Sequence, residues 1–210
     1  MLTSIVLLQT LLQADTPSPT PMKALSLLME GNHHFVEGEL QHLPNVAETK
    51  NKFLQEQTPF AVIVGCSDSR VPLEIIFDRG IGELFVVRVA GNVLGPIEMG
   101  SVEFAVEALK TPLVLVLGHQ NCGAVKASLQ GSENVPDFLK AIYPLIKDAL
   151  KNCQTTGKNA LVNAIQCNVK KGVETLKNSP LIASRIQQKK VKVVGAYFDF
   201  DSGKVQLISE

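Results

Sequence analysis

Two short segments concentrate the side chains able to do chemistry: Gly65-Cys66-Ser67-Asp68-Ser69-Arg70 and Gly118-His119-Gln120-Asn121-Cys122-Gly123. Each follows a continuous apolar run, residues 60–64 and 113–117. Cys66, His119 and Cys122 make up a Cys2His donor set, which in catalytic zinc sites leaves the fourth tetrahedral position to water. A closed structural zinc site is the alternative. Cys66 and Asp68 are two residues apart, so in extended backbone both can face one side, and Asp68 could complete four ligands. Arg70 opposes that arrangement, because a guanidinium holds a carboxylate bidentately and draws it off the metal. The sequence permits an open state and a closed state with Asp68 on the metal.

Cys122-Gly123-Ala124-Val125 reads as the start of a helix, where exposed N–H groups and the helix dipole stabilise a thiolate. Gly123 lets a substrate approach the backbone, and it equally suits a plain helix start. Gly118 and Gly123 have the spacing of a phosphate-binding loop, but Ala124 and Val125 stand where Lys and Ser or Thr are needed. Gly80-Ile81-Gly82 lacks the third glycine of a dinucleotide fingerprint. Nucleotide binding is excluded on both counts.

The runs at 60–64, 84–89 and 113–117 read as strands buried on both faces. A helix is expected from Met22, with Met22, Leu25, Leu28, Met29, Phe35 and Val36 at helical spacing, weakened by Gly31 and stopped by Gly38. Val102, Ala105, Val106 and Leu109 form a helical stripe within 101–110. Three helices follow the third strand: one with Val135, Phe138, Leu139, Ile142, Leu145, Ile146 and Ala149 on its face, one with Leu161, Ile165, Val169, Val173 and Leu176, and a short one after Pro180. Residues 191–198 and 205–208, with a turn at Asp201-Ser202-Gly203, read as a hairpin. The expected fold is α/β: a mainly parallel sheet flanked by helices, with an N-terminal helical arm and a C-terminal antiparallel hairpin. Ligands in such sheets collect at the carboxyl ends of strands. The ends of the first and third strands should therefore be neighbours, joining the two segments into one site.

The 210 residues suit one such domain, at 22–210, behind an extension at 1–21. With 45% hydrophobic and 19% charged residues, the chain has material for a core and is not a disordered segment. Its 20 basic and 20 acidic residues cancel, which argues against nucleic acid as a partner. Lys170-Lys171 and the basic run at 189–192 read as solvated edges. Four cysteines do not suggest a disulfide scaffold, and Cys153 and Cys167 read as small buried or incidental thiols. Residues 2–14 are apolar and precede a Pro-rich stretch. They fit either the hydrophobic part of a secretory signal without its usual basic start, or a helix packing on a partner subunit. They are too short to span a bilayer. Export, for example to a periplasm, is the favoured expectation over the cytoplasm.

Several motifs together resemble the β-carbonic anhydrase family. They are Cys66-Ser67-Asp68-Ser69-Arg70-Val71-Pro72, Gly82-Glu83-Leu84-Phe85-Val86-Val87-Arg88, Ala90-Gly91-Asn92, Ser101 to Val106, Gly118-His119 with Cys122-Gly123-Ala124-Val125, and the ending Gly195-Ala196-Tyr197 with Gly203-Lys204-Val205. The resemblance runs from about Met22 to Val205. It implies one Zn2+ per chain on Cys66, His119 and Cys122, with Asp68 and Arg70 as a catalytic dyad. It also implies reversible hydration of CO2 to bicarbonate and a proton, by zinc-bound hydroxide that Asp68 orients. The assembly implied is a homodimer, often a homotetramer, with the active site at the subunit boundary.

On this resemblance Gln57 orients substrate and Phe85, Ala90 and Phe104 line a dry pocket, Phe104 being contributed by the other subunit. Position 104 is a tyrosine in some relatives, so a hydroxyl is lost here. Ile63 stands where the bicarbonate-inhibited branch has tryptophan, and the chain has no tryptophan, which together with Gln57 implies the open branch. The proton shuttle is unassigned; His33, His34 and His42 read as surface histidines. Alternatives on the same residues are hydrolysis of carbonyl sulfide or carbon disulfide, a cysteine–histidine nucleophile, and a zinc-stabilised interaction protein without turnover.

Overall fold

The structure, a computed structural model, describes residues 18–42, 57–130 and 135–209. Five strands form one sheet: β1 (Ala61–Gly65), β2 (Leu84–Arg88), β3 (Leu113–His119), β4 (Lys192–Phe198) and β5 (Val205–Ser209). Their order is β2-β1-β3-β4-β5, parallel except for the antiparallel β4–β5 hairpin. Among the described residues seven helices surround it: α1 (Pro21–Glu37), α2 (Leu73–Ile76), α3 (Pro96–Glu107), α4 (Gly123–Leu129), α5 (Tyr143–Ala149), α6 (Ala160–Lys177) and α7 (Pro180–Gln187). Single 3-10 turns cover Ala90–Asn92 and Asp137–Leu139. The mainly parallel sheet and the terminal hairpin agree with the sequence. The apolar segment at 2–14 lies outside the described residues.

Alternation along the central strands builds two cores. Ala61, Ile63, Leu113, Leu115, Val194 and Ala196 face α1 and α2, while Val62, Val64, Val114, Val116 and Val193 face α3, α6 and α7. Both sets are buried, because parallel strands covered by helices on each side have no wet face. A third cluster at the carboxyl ends of the strands gathers Cys66, Cys122, Val125, Ile146 and Ile165.

α1 is defined by the Thr20 side chain accepting from Lys23 N–H and by Gly38 in the left-handed conformation. Gly31 is not a mere weakness in this helix. A Cβ there would lie 1.7 Å from the Phe77 carbonyl oxygen, so glycine is what allows α1 to reach the body. Buried Asn32 completes the docking: its amide donates to the carbonyls of Ile76 and Gly203, and its oxygen accepts from Val205 N–H at 2.8 Å.

Two expectations are corrected. The stripe from Val135 to Ala149 is not one helix, because Pro144 lacks the N–H a continuing helix needs and sits instead at the start of α5. Phe138, assigned to its inner face, is 79% exposed. Cys153 and Cys167, read as incidental thiols, are joined in a disulfide that ties the segment after α5 to the middle of α6. Spacing alone gave no sign of this pair, since the intervening turn is set by tertiary packing.

Candidate metal centre

β1 and β3 are adjacent in the sheet, with Gly65 opposite Leu117, so their ends deliver Cys66 and His119 to one place. The chain then turns through Asn121, with φ 55°, and Cys122 immediately precedes α4. The ligand atoms of Cys66, His119 and Cys122 all lie within 4.8 Å of one another, and all three residues are buried.

The donor chemistry fits a metal ion. His119 Nδ1 lies 2.9 Å from the Gln120 carbonyl oxygen, which can only accept, so Nδ1 carries the proton and Nε2 presents a lone pair. Nε2 is buried with no hydrogen-bond partner. An orphaned imidazole lone pair facing two sulfurs is costly unless a cation completes it. Among the described residues this is the single His, Cys, Asp and Glu cluster of metal-binding geometry.

The sulfurs are prepared for the same role. The Cys66 thiol is lowered, first by hydrogen bonding from Cys122, against the opposing effect of burial, and further by the Gly91 N–H, whose nitrogen is 3.2 Å from Sγ. Gly91 can turn its amide toward sulfur because it adopts φ 73°. Cys122 is pushed up, since it holds the proton the two sulfurs share and is buried.

Asp68 and Arg70 form a bidentate pair beside the triad: Arg70 Nε donates to Oδ1 at 2.9 Å and Nη2 to Oδ2 at 2.7 Å. The Arg70 backbone N–H also donates to Oδ1 at 3.0 Å. Arg70 thereby holds the Asp68 carboxyl well below the usual carboxylate range, despite some burial. Asp68 Oδ2 is 3.8 Å from His119 Nε2. The Cys66, His119 and Cys122 cluster and the Asp68–Arg70 pair thus stand side by side.

The remaining assigned residues are more dispersed. Gly123 is exposed, with open space where a Cβ would stand. Ala90 is half-buried in the turn after β2. The Phe85 and Phe104 rings meet at a tilt of 42° with centroids 6.3 Å apart, and Phe104 is 52% exposed. Gln57 is exposed ahead of β1. His34 is not a free surface histidine: its Nδ1 donates to buried Asp78 at 2.8 Å, which His42 Nδ1 also approaches at 3.2 Å. His33 is exposed.

Arg88 was not singled out by sequence reasoning, although it lies within a recognised motif. Its Nε donates to the Cys66 carbonyl at 3.0 Å and Nη2 to the Asp68 carbonyl at 2.7 Å. One guanidinium fork therefore fixes the backbone of the first ligand and of the dyad acid. Its position at the end of the neighbouring strand β2 was the available signal.

A parallel α/β sheet carrying a buried Cys2His cluster beside a carboxylate–guanidinium pair defines a metalloenzyme site at the strand ends. The carbonic anhydrase family model matches residues 61–205. Carbonic anhydrase of Mycolicibacterium smegmatis is 36% identical over 197 residues, covering 92% of this chain and 96% of that protein. Carbonic anhydrase of Synechococcus elongatus is 33% identical over 200 residues, covering 87% and 71%. Among solved structures, Coccomyxa β-carbonic anhydrase in complex with acetazolamide superposes with TM-score 0.71 at 26% identity, covering 88% of this chain and 86% of that one. The chain belongs to the β-class carbonic anhydrase family, a family of carbonate dehydratases.

Proposed function

We propose that this chain catalyses the reversible hydration of CO2 to bicarbonate and a proton, with one zinc ion on Cys66, His119 and Cys122. The observation carrying this is the unpartnered His119 Nε2 converging with two cysteine sulfurs beside an Arg-held carboxylate. Zinc bound there supplies the Lewis acidity that makes water nucleophilic near neutral pH. Asp68 accepts a hydrogen bond from the attacking water and aims its lone pair at the CO2 carbon. Arg70 keeps Asp68 ionised and turned away from the metal position. Gly123 leaves the approach to the α4 N-terminus open, Gln57 donates to a substrate oxygen, and Ala90, Phe85 and Phe104 supply apolar surface for an uncharged gas.

The chain works as a homo-oligomer on this reading. Ile97 and Phe104, seven residues apart on α3 and both exposed, are apolar surface that a second copy would cover. Among the described residues no helix is long and apolar enough to cross a membrane. The disulfide supports residence in a compartment that keeps thiols oxidised, consistent with export.

Stopped-flow CO2 hydration on one preparation, with zinc quantified per chain and carbonyl sulfide turnover measured in parallel, tests the reading. One zinc per chain with fast hydration supports it. Zinc without hydration overturns it, and faster carbonyl sulfide turnover reassigns the substrate.

A further inference from the structure

Arg70 is 53% exposed, and a long cation so exposed has many rotamers open to it. Its grip on Asp68 therefore needs support from another side. That support comes from the turn between β4 and β5, where the Phe200 ring centroid lies 4.7 Å from the Arg70 guanidinium carbon. The same ring lies 5.4 Å from the His119 ring, tilted by 34°. One side chain thus touches both the cation of the dyad and the imidazole of the metal cluster.

Phe200 is itself fixed. Its N–H donates to Gln120 Oε1 at 2.7 Å, and Gln120 Nε2 donates to Asp201 Oδ2 at 2.9 Å. The Gln120 N–H bonds the Phe198 carbonyl, and the Phe198 ring meets Phe200 edge-on at 5.5 Å. Gln120 is also the residue whose carbonyl accepts from His119 Nδ1. The bonds run from His119 through Gln120 to Phe200, and the Phe200 ring returns to His119.

We propose that Phe200 is a positioning residue for the reaction: its π-face holds the Arg70 guanidinium where it draws Asp68 away from the metal position, while its tilted contact with the His119 ring fixes that ligand's rotation. The proposal rests on the CO2 hydration reading for its catalytic consequence, though not for its geometry. Asp68 Oδ2 has only 3.8 Å to cross to His119 Nε2, so a modest loosening of Arg70 is enough to let the carboxylate move. Attraction between a cation and an aromatic face needs the ring's quadrupole, not its bulk. Leucine fills much of the space without it, and tyrosine keeps it.

The test compares F200L with F200Y in the zinc-loaded full chain, reading CO2 hydration, zinc affinity by chelator competition, and the Arg70 Nε–H resonance. Ring current shifts that resonance in the parent chain. The expectation is that F200Y keeps the shifted resonance and hydration within about twofold, whereas F200L loses the shift and about two- to fivefold in kcat, the range for an exposed cation–π contact. KM is unchanged, and in an R70Q background F200L costs less than in the parent chain, keeping only the share that acts through the His119 ring. Equal behaviour of the two variants, or an undiminished F200L effect without Arg70, overturns the proposal. A parent chain without hydration activity overturns the functional reading instead, and the resonance and zinc affinity still decide whether Phe200 holds the guanidinium.

Discussion

Oδ2 of Asp68 stands 3.8 Å from Nε2 of His119, between the guanidinium that anchors it and the place where a metal would sit. On the proposed reading, the grip of Arg70 keeps this carboxylate a hydrogen-bond acceptor and not a fourth ligand.

Removing that anchor has a calculable cost. Arg70→Ala breaks two charge-assisted hydrogen bonds, each worth roughly 1.5–3 kcal/mol. Partial replacement by solvent leaves an expected loss of about 10- to 100-fold in kcat/KM. Zinc content stays at the parent level, because the three ligands are untouched. Hydration kinetics with parallel metal analysis checks both halves.

Metal uptake should be linked to proton release. Cys66 is lowered by the hydrogen bond from Cys122, which is pushed up and keeps its own proton. Zinc binding at neutral pH then displaces about one proton per chain. Calorimetric titration of the metal-free protein in buffers of different ionisation enthalpy reads that number; a value near two would mean both thiols are protonated beforehand.

In the metal-free protein, Cys66 also makes stability depend on pH. Its folded pKa lies below its unfolded one, so its contribution is full above the unfolded value and falls as pH drops toward about 4. Urea midpoints of the metal-free chain should therefore decline on acidification from mildly alkaline pH. Cys66→Ala should flatten that decline.

The Cys153–Cys167 disulfide closes a loop with sequence separation 14. On chain-entropy grounds it contributes about 3 kcal/mol by restricting the unfolded state. Denaturation with and without reductant should differ by that order. The difference should vanish in a Cys153→Ala/Cys167→Ala variant, which folds to the reduced protein's stability.

Asn32→Ala should destabilise by about 2–4 kcal/mol, since it leaves the Ile76 and Gly203 carbonyls and the Val205 N–H without their buried partner. Asn32→Asp should be nearly as damaging, because an acceptor would then face two carbonyls. Urea unfolding of the two variants measures this.

The central strands β1 and β3 and the Cys2His donor set were legible in the chain itself, whereas β2, read as buried on both faces, is an edge strand with Leu84, Phe85 and Val86 only partly covered. A strand buried on both faces has to be apolar throughout, and the segments after β1 and β3 carry groups with a narrow range of chemical uses. That made Cys66, Asp68, Arg70, His119 and Cys122 readable from residue type and position alone. Tertiary structure alone decided which groups those five lean on. Phe200 reaches Arg70 across 130 residues, Arg88 reaches back from a neighbouring strand, Gly91 offers its amide only in a left-handed turn, and Cys153 meets Cys167 only after α5 and α6 have packed. Such contacts depend on the direction in which a turn leaves the sheet. That direction is set by packing between distant segments, which no local pattern of residues encodes.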